Sequence, residues 1–380
     1  MQVDPGLEGV IAAETVLSEV DGQAGRLTIR GHLLEELAGH CSFEAVLQIL
    51  LDGLLELPGS EAALQADLAR ARAQVFALLP PDRDSCRRLP PIEVLRAWIA
   101  QLPDGDDYPT ALQLLAAPAV FTAAILRIRA GDEPVAPEPC LRHAADFLRM
   151  LRNAPASDYE AAALDSYLVT VADHGLNAST FTARVVASTR AGLTSAVIAA
   201  LSALKGPLHG GAPGPVLDML DAIGQPERAR LWIEAALQRN ERLMGFGHRI
   251  YRVRDPRADA LRAALRALAT SCAHSDNTVS SGQSKSRALS ERLALAESVE
   301  REALRILHRD KPQRALDTNV EFYTALLLEA LGVPREAFTC MFAVGRVGGW
   351  IAHAREQLRC GRLIRPQSRY IGPAPAPAAA

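Results

Sequence analysis

From Leu33 onward, apolar residues recur at three- and four-residue spacing along most of the chain, the period of amphipathic helices. The stretch ELAGHCSFEAVLQILLDGLL opens this pattern, with Ser42 placed to cap a helix beginning at Phe43. Helical patterns occupy 158–173, 178–204, 216–223, 227–243 and 256–270, and resume at 288–308, 319–332 and 334–359. Only residues 8–30 read as β: GVIAAETVLSEV and GRLTIRG flank a turn signal at Asp21-Gly22, which predicts a small N-terminal hairpin. Pro-rich breaks fall at 78–93 and 132–139. Residues 271–287 (SCAHSDNTVSSGQSKSR) are polar and lack a period, which predicts a mobile surface loop or insertion. The closing PAPAPAAA is of low complexity and predicts disorder. No internal repeat is visible, and no apolar run reaches about 18 residues, so no membrane span is predicted.

Composition narrows the class. Single cores rarely grow past about 250–300 residues, so 380 residues suggest two domains or a large domain with a smaller lobe. Aromatics are only 5% while Ala and Leu abound, which favours packed helices and a mainly α fold. The net charge of -3 offers no basic excess for nucleic acid or an anionic membrane. Six scattered cysteines without a CxxC pair read as free thiols in a reducing compartment, not as a disulfide frame or zinc site. The opening MQVDPGLEGV lacks a basic n-region and an apolar core, so the cytoplasm is the expected location.

Four segments depart from ordinary helix or loop text. In Asp173-His174-Gly175-Leu176-Asn177, Gly175 permits a tight turn and Asn177 can cap the next helix, whose N-terminus could receive a carboxylate beside His174. A helix corner with a capped histidine explains the same residues. In Lys205-Gly206-Pro207-Leu208-His209-Gly210-Gly211-Ala212, glycines surround one histidine and allow a ligand close to the main chain; an interhelical turn is the plain alternative. The run from Arg242 to Arg257 holds Gly245, Gly247, His248 and a local density of arginines suited to carboxylates or phosphates, against the alternative of a solvated basic face. Asp255 and Pro256 read there as N-cap and first helical residue. In Thr318-Asn319-Val320-Glu321, spacing alone favours a capping box between Thr318 and Glu321. Together these loops collect histidines, arginines and one carboxylate, with no HExxH metal spacing, GxSxG elbow or cysteine at a glycine turn. That inventory suits proton transfer on a polyanionic substrate: a carboxylate base, histidines at a developing oxyanion, and arginines on carboxylates.

GPLHGGA at 206–212, GFGHRIYRVRDPRA at 245–258 and NVEFYTALLLEALGVPREAF at 319–338 resemble the citrate synthase family. FAVGRVGGWIAHAREQ at 342–357, RLIRPQSRYIGP at 362–373 and the opening from Gly6 continue the resemblance in the expected order over nearly the whole chain. It implies a mainly α, two-domain fold: a large domain of 1–210 plus 325–380 and a small domain of 211–324 carrying the polar insertion. It also implies condensation of acetyl-CoA with oxaloacetate, with coenzyme A entering as cosubstrate and no permanently bound cofactor or metal.

Roles follow by motif. His209 resembles the histidine on the acyl-CoA carbonyl, His248 the one that polarises the ketone of oxaloacetate, and His174 an oxaloacetate-binding histidine. Arg257 and Arg346 resemble carboxylate-binding arginines, Arg365 the arginine that reaches the neighbouring subunit's site, and Arg252 a coenzyme A phosphate contact. A homodimer is therefore implied, and a dimer rather than a hexamer, since nothing before Gly6 resembles a longer N-terminal region. The sequence departs at the base: the family's usual NVDFYS reads NVEFYT here, so Glu321 takes the position, with Asp317 a rival four residues earlier. Two other readings share these motifs: a 2-methylcitrate synthase using propionyl-CoA, and a non-catalytic sensor that binds CoA or oxaloacetate.

Overall fold

The computed structural model describes residues 4, 6–7, 9–81, 83–209, 213–275 and 282–373. A three-stranded antiparallel sheet, β1 (Ser18–Asp21), β2 (Arg26–Ile29) and β3 (His32–Leu33), precedes the helices in the order β1-β2-β3. The first eight helices are α1 (Leu34–Leu37), α2 (Phe43–Leu51), α3 (Glu61–Ala77), α4 (Asp84–Arg88), α5 (Pro91–Ile99), α6 (Tyr108–Ala130), α7 (His143–Arg152) and α8 (Asp158–Val171). Then follow α9 (Ala178–Ala187), α10 (Leu193–Leu204), α11 (Pro213–Ile223), α12 (Ala229–Gln238), α13 (Pro256–Ser275), α14 (Gly282–Asp310), α15 (Val320–Ala330) and α16 (Phe338–Cys360). The mainly α expectation is met. The hairpin begins only at Ser18, pairs Ser18 with Ile29 and Asp21 with Arg26, and gains a third short strand.

Helix α6 organises the core. Asp107 caps its start, Gly131 ends it in the left-handed conformation (φ 89°), and nearly every side chain from Ala111 to Ile128 is buried. It is long and apolar enough to cross a membrane by length and composition, but 89% of its most apolar window is buried inside the protein. Being apolar on all faces, it offers no amphipathic period, so the sequence pattern assigned nothing there. Helix α16 packs on α6, α8, α9, α10 and α2. Its glycines permit that approach: a Cβ would fall 2.4 Å from Val171 at Gly345, 2.4 Å from Leu47 at Gly348 and 2.3 Å from the Ala172 carbonyl at Gly349. This contact seats Arg346 and the end of α8 side by side.

Three expectations change. The pattern over 178–204 is two helices, because Arg190 (φ 63°) and Gly192 (φ 96°) turn the chain left-handed. Asp104, from a distant loop, then caps α10 through the amides of Thr194 (2.9 Å) and Ser195 (3.1 Å). The predicted loop at 271–287 is helical on both flanks, to Ser275 and from Gly282, and its middle lies outside the described residues, as does the 374–380 tail. The Pro-rich break at 78–93 contains the short α4. None of the six cysteines, all of them among the described residues, is in a disulfide.

Candidate active site

Two loops are zipped together to make the site. The Gly247 amide donates to the Asp317 carbonyl (2.7 Å), the Asn319 amide to the Gly245 carbonyl (2.9 Å), and the Asn319 side chain to the Gly247 carbonyl (2.8 Å). Gly245 (φ 84°) is irreplaceable by shape as well as by conformation, since a Cβ there would stand 2.8 Å from the Phe322 ring. The zipper fixes the segment carrying His248, Asp255 and Arg257 against the start of α15, which carries Glu321. The N-terminal sheet braces the other side: the Arg252 amide donates to the Gly22 carbonyl at 2.8 Å.

His174 and His248 meet edge to face with centroids 5.6 Å apart, and Tyr251 lies against both. His174 Nε2 and the Tyr251 hydroxyl are 3.2 Å apart. The amides of Ile250 and Tyr251 both donate to His248 Nδ1 at 3.1 Å, so the ring proton sits on Nε2. That nitrogen is 3.2 Å from Arg257 Nη2, which is also a donor. Two N–H groups thus converge on a place where an oxygen would satisfy both. In the second glycine loop, His209 Nε2 lies 3.3 Å from the Ser179 amide and 2.9 Å from its hydroxyl. An amide only donates, so Nε2 accepts and the ring proton is on Nδ1. Burial, then the charges of nearby arginines, lowers His209 and His248 to about 4 and His174 well below its ordinary value. All three are neutral donors at pH 7.

Arg257 is buried and held by Asp255 through Nε (3.0 Å) and Nη2 (2.8 Å). Asp255 also accepts the Arg257 amide (3.0 Å) and the Val320 amide (3.1 Å), so one carboxylate caps α13, tethers α15 and aims the guanidinium. Arg346 is buried. Its Nε donates to the Val171 carbonyl (2.5 Å), its guanidinium stacks over Phe342, and its buried Nη2 has no partner among the described residues. Burial and the charge of Arg257 lower it to about 10, while Asp173 holds it up. A buried unpaired guanidinium nitrogen calls for an anion.

The capping box is not formed. Asn319 caps α15, accepting the Glu321 amide at 3.0 Å, and the Thr318 hydroxyl is taken by Glu300 at 2.7 Å. The Glu321 carboxyl is left with no hydrogen bond among the described residues, and burial pushes it up to about 7 against the pull of Arg257 and Arg242. Asp317 turns its carboxylate to His308 (3.4 Å) and joins the loop zipper through its backbone carbonyl. The structure therefore gathers His174, His248, Arg257, Arg346 and Glu321, with His209 within their electrostatic reach. It does not bring in Arg252, whose side chain is exposed, or Arg365, exposed on the extended segment after α16. Sequence reasoning missed Tyr251, and missed Asp173, which accepts from Ser18 and lies 3.3 Å from His353 Nε2. Their partners lie 77 and 180 residues away, so no local spacing signals them.

Such a pocket can bind a small polycarboxylate, present neutral N–H donors to a carbonyl, and abstract a proton with a basic carboxylate. The family model "Citrate synthase, C-terminal domain" matches residues 6–367. The citrate synthase of Haloferax volcanii is 37% identical, the alignment covering 97% of this chain and 95% of that one. Citrate synthase 2 of Bacillus subtilis is 36% identical, covering 98% of this chain and 97% of its own. The structure superposes on the ternary complex of carboxymethyl coenzyme A and oxaloacetate with citrate synthase from Thermoplasma acidophilum at a TM-score of 0.82, with 26% identity over 100% of this chain and 98% of that one.

Proposed function

The chain belongs to the citrate synthase family, and we propose that it condenses acetyl-CoA with oxaloacetate and water, releasing citrate and free coenzyme A. The observation that carries this reading is the buried Nη2 of Arg346, without a partner among the described residues, together with the converging N–H donors of Arg257 and His248. A dicarboxylate with a ketone between its ends meets all three needs. In this reading the carboxylates of oxaloacetate engage Arg257, Arg346 and the partner subunit's Arg365, while His174 and the His248 Nε2–H hold the ketone side. The segment 211–324 closes over 1–210 plus 325–380 and excludes water.

Acetyl-CoA then enters, with Arg252 near its phosphates. Glu321 removes the α-proton and His209 Nδ1–H donates to the thioester carbonyl as the enol develops. The nucleophilic carbon attacks the ketone, His248 donates to the new alkoxide, and hydrolysis of the citryl thioester frees citrate and coenzyme A. A homodimer is required in this scheme, since Arg365 completes the other site.

Free thiol release from acetyl-CoA and propionyl-CoA, each with and without oxaloacetate, tests the proposal. Oxaloacetate-dependent release with a higher kcat/KM for acetyl-CoA is expected. A higher value for propionyl-CoA would make the protein a 2-methylcitrate synthase. Binding of oxaloacetate without release from either donor would make it a sensor and remove Glu321 from its role.

A further inference from the structure

A buried chain of polar side chains runs from the pocket to the C-terminal segment. Asp173, His353, Arg184, Glu356 and Gln357 are all at most 6% exposed. Its hydrogen bonds have one possible direction. Arg184 only donates, so at 3.1 Å from His353 Nδ1 it makes that nitrogen the acceptor. His353 Nε2 then carries the proton and donates to Asp173 at 3.3 Å. On its other side Arg184 Nε donates to Gln357 Oε1 at 3.0 Å, which fixes the amide. Gln357 Nε2 must therefore face outward, and it donates to the Arg362 carbonyl at 2.9 Å. Gly361 leaves room for this, since a Cβ there would fall 1.9 Å from Gln357 Nε2.

Arg362 opens an extended segment that has no regular structure through Pro373 and leaves Leu363 (57%), Tyr370 (76%) and Ile371 (91%) exposed. A second tie, from the Ile364 amide to Ser188 Oγ at 3.0 Å, comes from the end of α9, the helix that carries Arg184. Arg365 is the next residue. Two bonds thus hold the segment at its root, both resting on elements that hold Arg184.

We propose that Gln357 and Arg184 are positioning residues for this C-terminal arm, and that through it they set the oxaloacetate affinity of the other subunit. The proposal rests on the function proposed above. The relay starts at Asp173, next to His174 and in the field of Arg346, so the same buried chain that backs one pocket roots the arm serving the second.

The test is Gln357→Glu, which keeps an acceptor for Arg184 Nε but sets a carboxylate oxygen against the Arg362 carbonyl. In the homodimer the KM for oxaloacetate is expected to rise about tenfold, the scale of one lost hydrogen bond, with a smaller change in kcat. Mixed dimers separate positioning from damage. With Gln357→Glu in one chain and His248→Ala in the other, the one working site receives an unmodified arm, and its KM should return to that of the parent protein. With both changes in one chain beside an unmodified chain, the working site receives the altered arm and its KM should stay raised. The opposite pattern, a defect that follows the chain carrying Gln357→Glu, or no change in KM, overturns the proposal. Absence of oxaloacetate-dependent thiol release in the unmodified protein would instead overturn the functional reading itself.

Discussion

On the proposed reading, turnover depends on the basicity of Glu321. Its carboxyl makes no hydrogen bond among the described residues, and burial raises it from 4.5 to about 7 although Arg257 and Arg242 oppose the shift. That change means the ionised form costs about 3 kcal/mol more in the pocket than in water. A base titrating there is about nine-tenths protonated one pH unit below its pKa and about nine-tenths ionised one unit above it. We therefore expect kcat/KM for acetyl-CoA to fall on the acid side with a midpoint near 7. With oxaloacetate saturating, the midpoint moves upward, because a bound carboxylate neutralises the Arg257 charge that was lowering Glu321. Glu321→Gln keeps the shape and removes the base, and should cost about 10²–10⁴-fold in kcat. The assay is thiol release between pH 5.5 and 8.5, on protein whose unfolding transition is unchanged. A midpoint near 4.5, or near-parent turnover in Glu321→Gln, would refute the argument.

Asp255→Asn leaves the buried guanidinium of Arg257 without its counter-charge; we expect a loss of about 3–5 kcal/mol in denaturant unfolding and a raised KM for oxaloacetate. Gly245→Ala forces a Cβ against Phe322 at a left-handed position and displaces the loop on which His248 sits. A shift of about 1 Å can cost about 100-fold, so kcat should fall below that of Gly247→Ala, which is equally left-handed (φ 83°) but whose tightest contact, at 3.0 Å, is the flexible end of Leu316. His143 is fully buried, neither ring nitrogen has a partner among the described residues, and burial lowers it from 6.5 to about 3. A histidine depressed on folding contributes no penalty above pH 6.5 and destabilises progressively as pH falls toward 3, by about 4–5 kcal/mol at full extent. His143→Phe should flatten the fall in stability between pH 6.5 and 4; parallel losses in the two proteins would refute this.

The helical text was legible wherever one face stayed polar, and the caps at Ser42, Asn177 and Asp255 stand where the residue types placed them. What escaped was set by partners far along the chain. Periodicity runs unbroken from α9 into α10, and only Arg190, Gly192 and the distant Asp104 break it. Thr318 and Glu321 have capping-box spacing, yet Glu300, eighteen residues upstream, claims the threonine hydroxyl and Asn319 supplies the cap. Local spacing describes what a side chain can reach in its own helix, and tertiary contact decides which option it takes. The glycines of the site loops were legible as unusual, but their reason was not. Gly245 is small because Phe322 stands behind it.

The balance of charge in the pocket also bears on the order in which ligands act. Arg257 has Asp255 as a close counter-ion, whereas Arg346 is offset mainly by Asp173, which is already committed to Ser18 and His353. The charge of Arg346 is therefore only loosely compensated, and the three histidines are neutral, so they add donors without adding cations. A dicarboxylate corrects the deficit and removes the field that keeps Glu321 less basic. On the proposed reading, oxaloacetate must bind first for Glu321 to reach its full strength as a base. Proton abstraction from the acyl-CoA is then greatest when the ketone that consumes the enol is already in place, which couples enolisation to condensation through electrostatics alone.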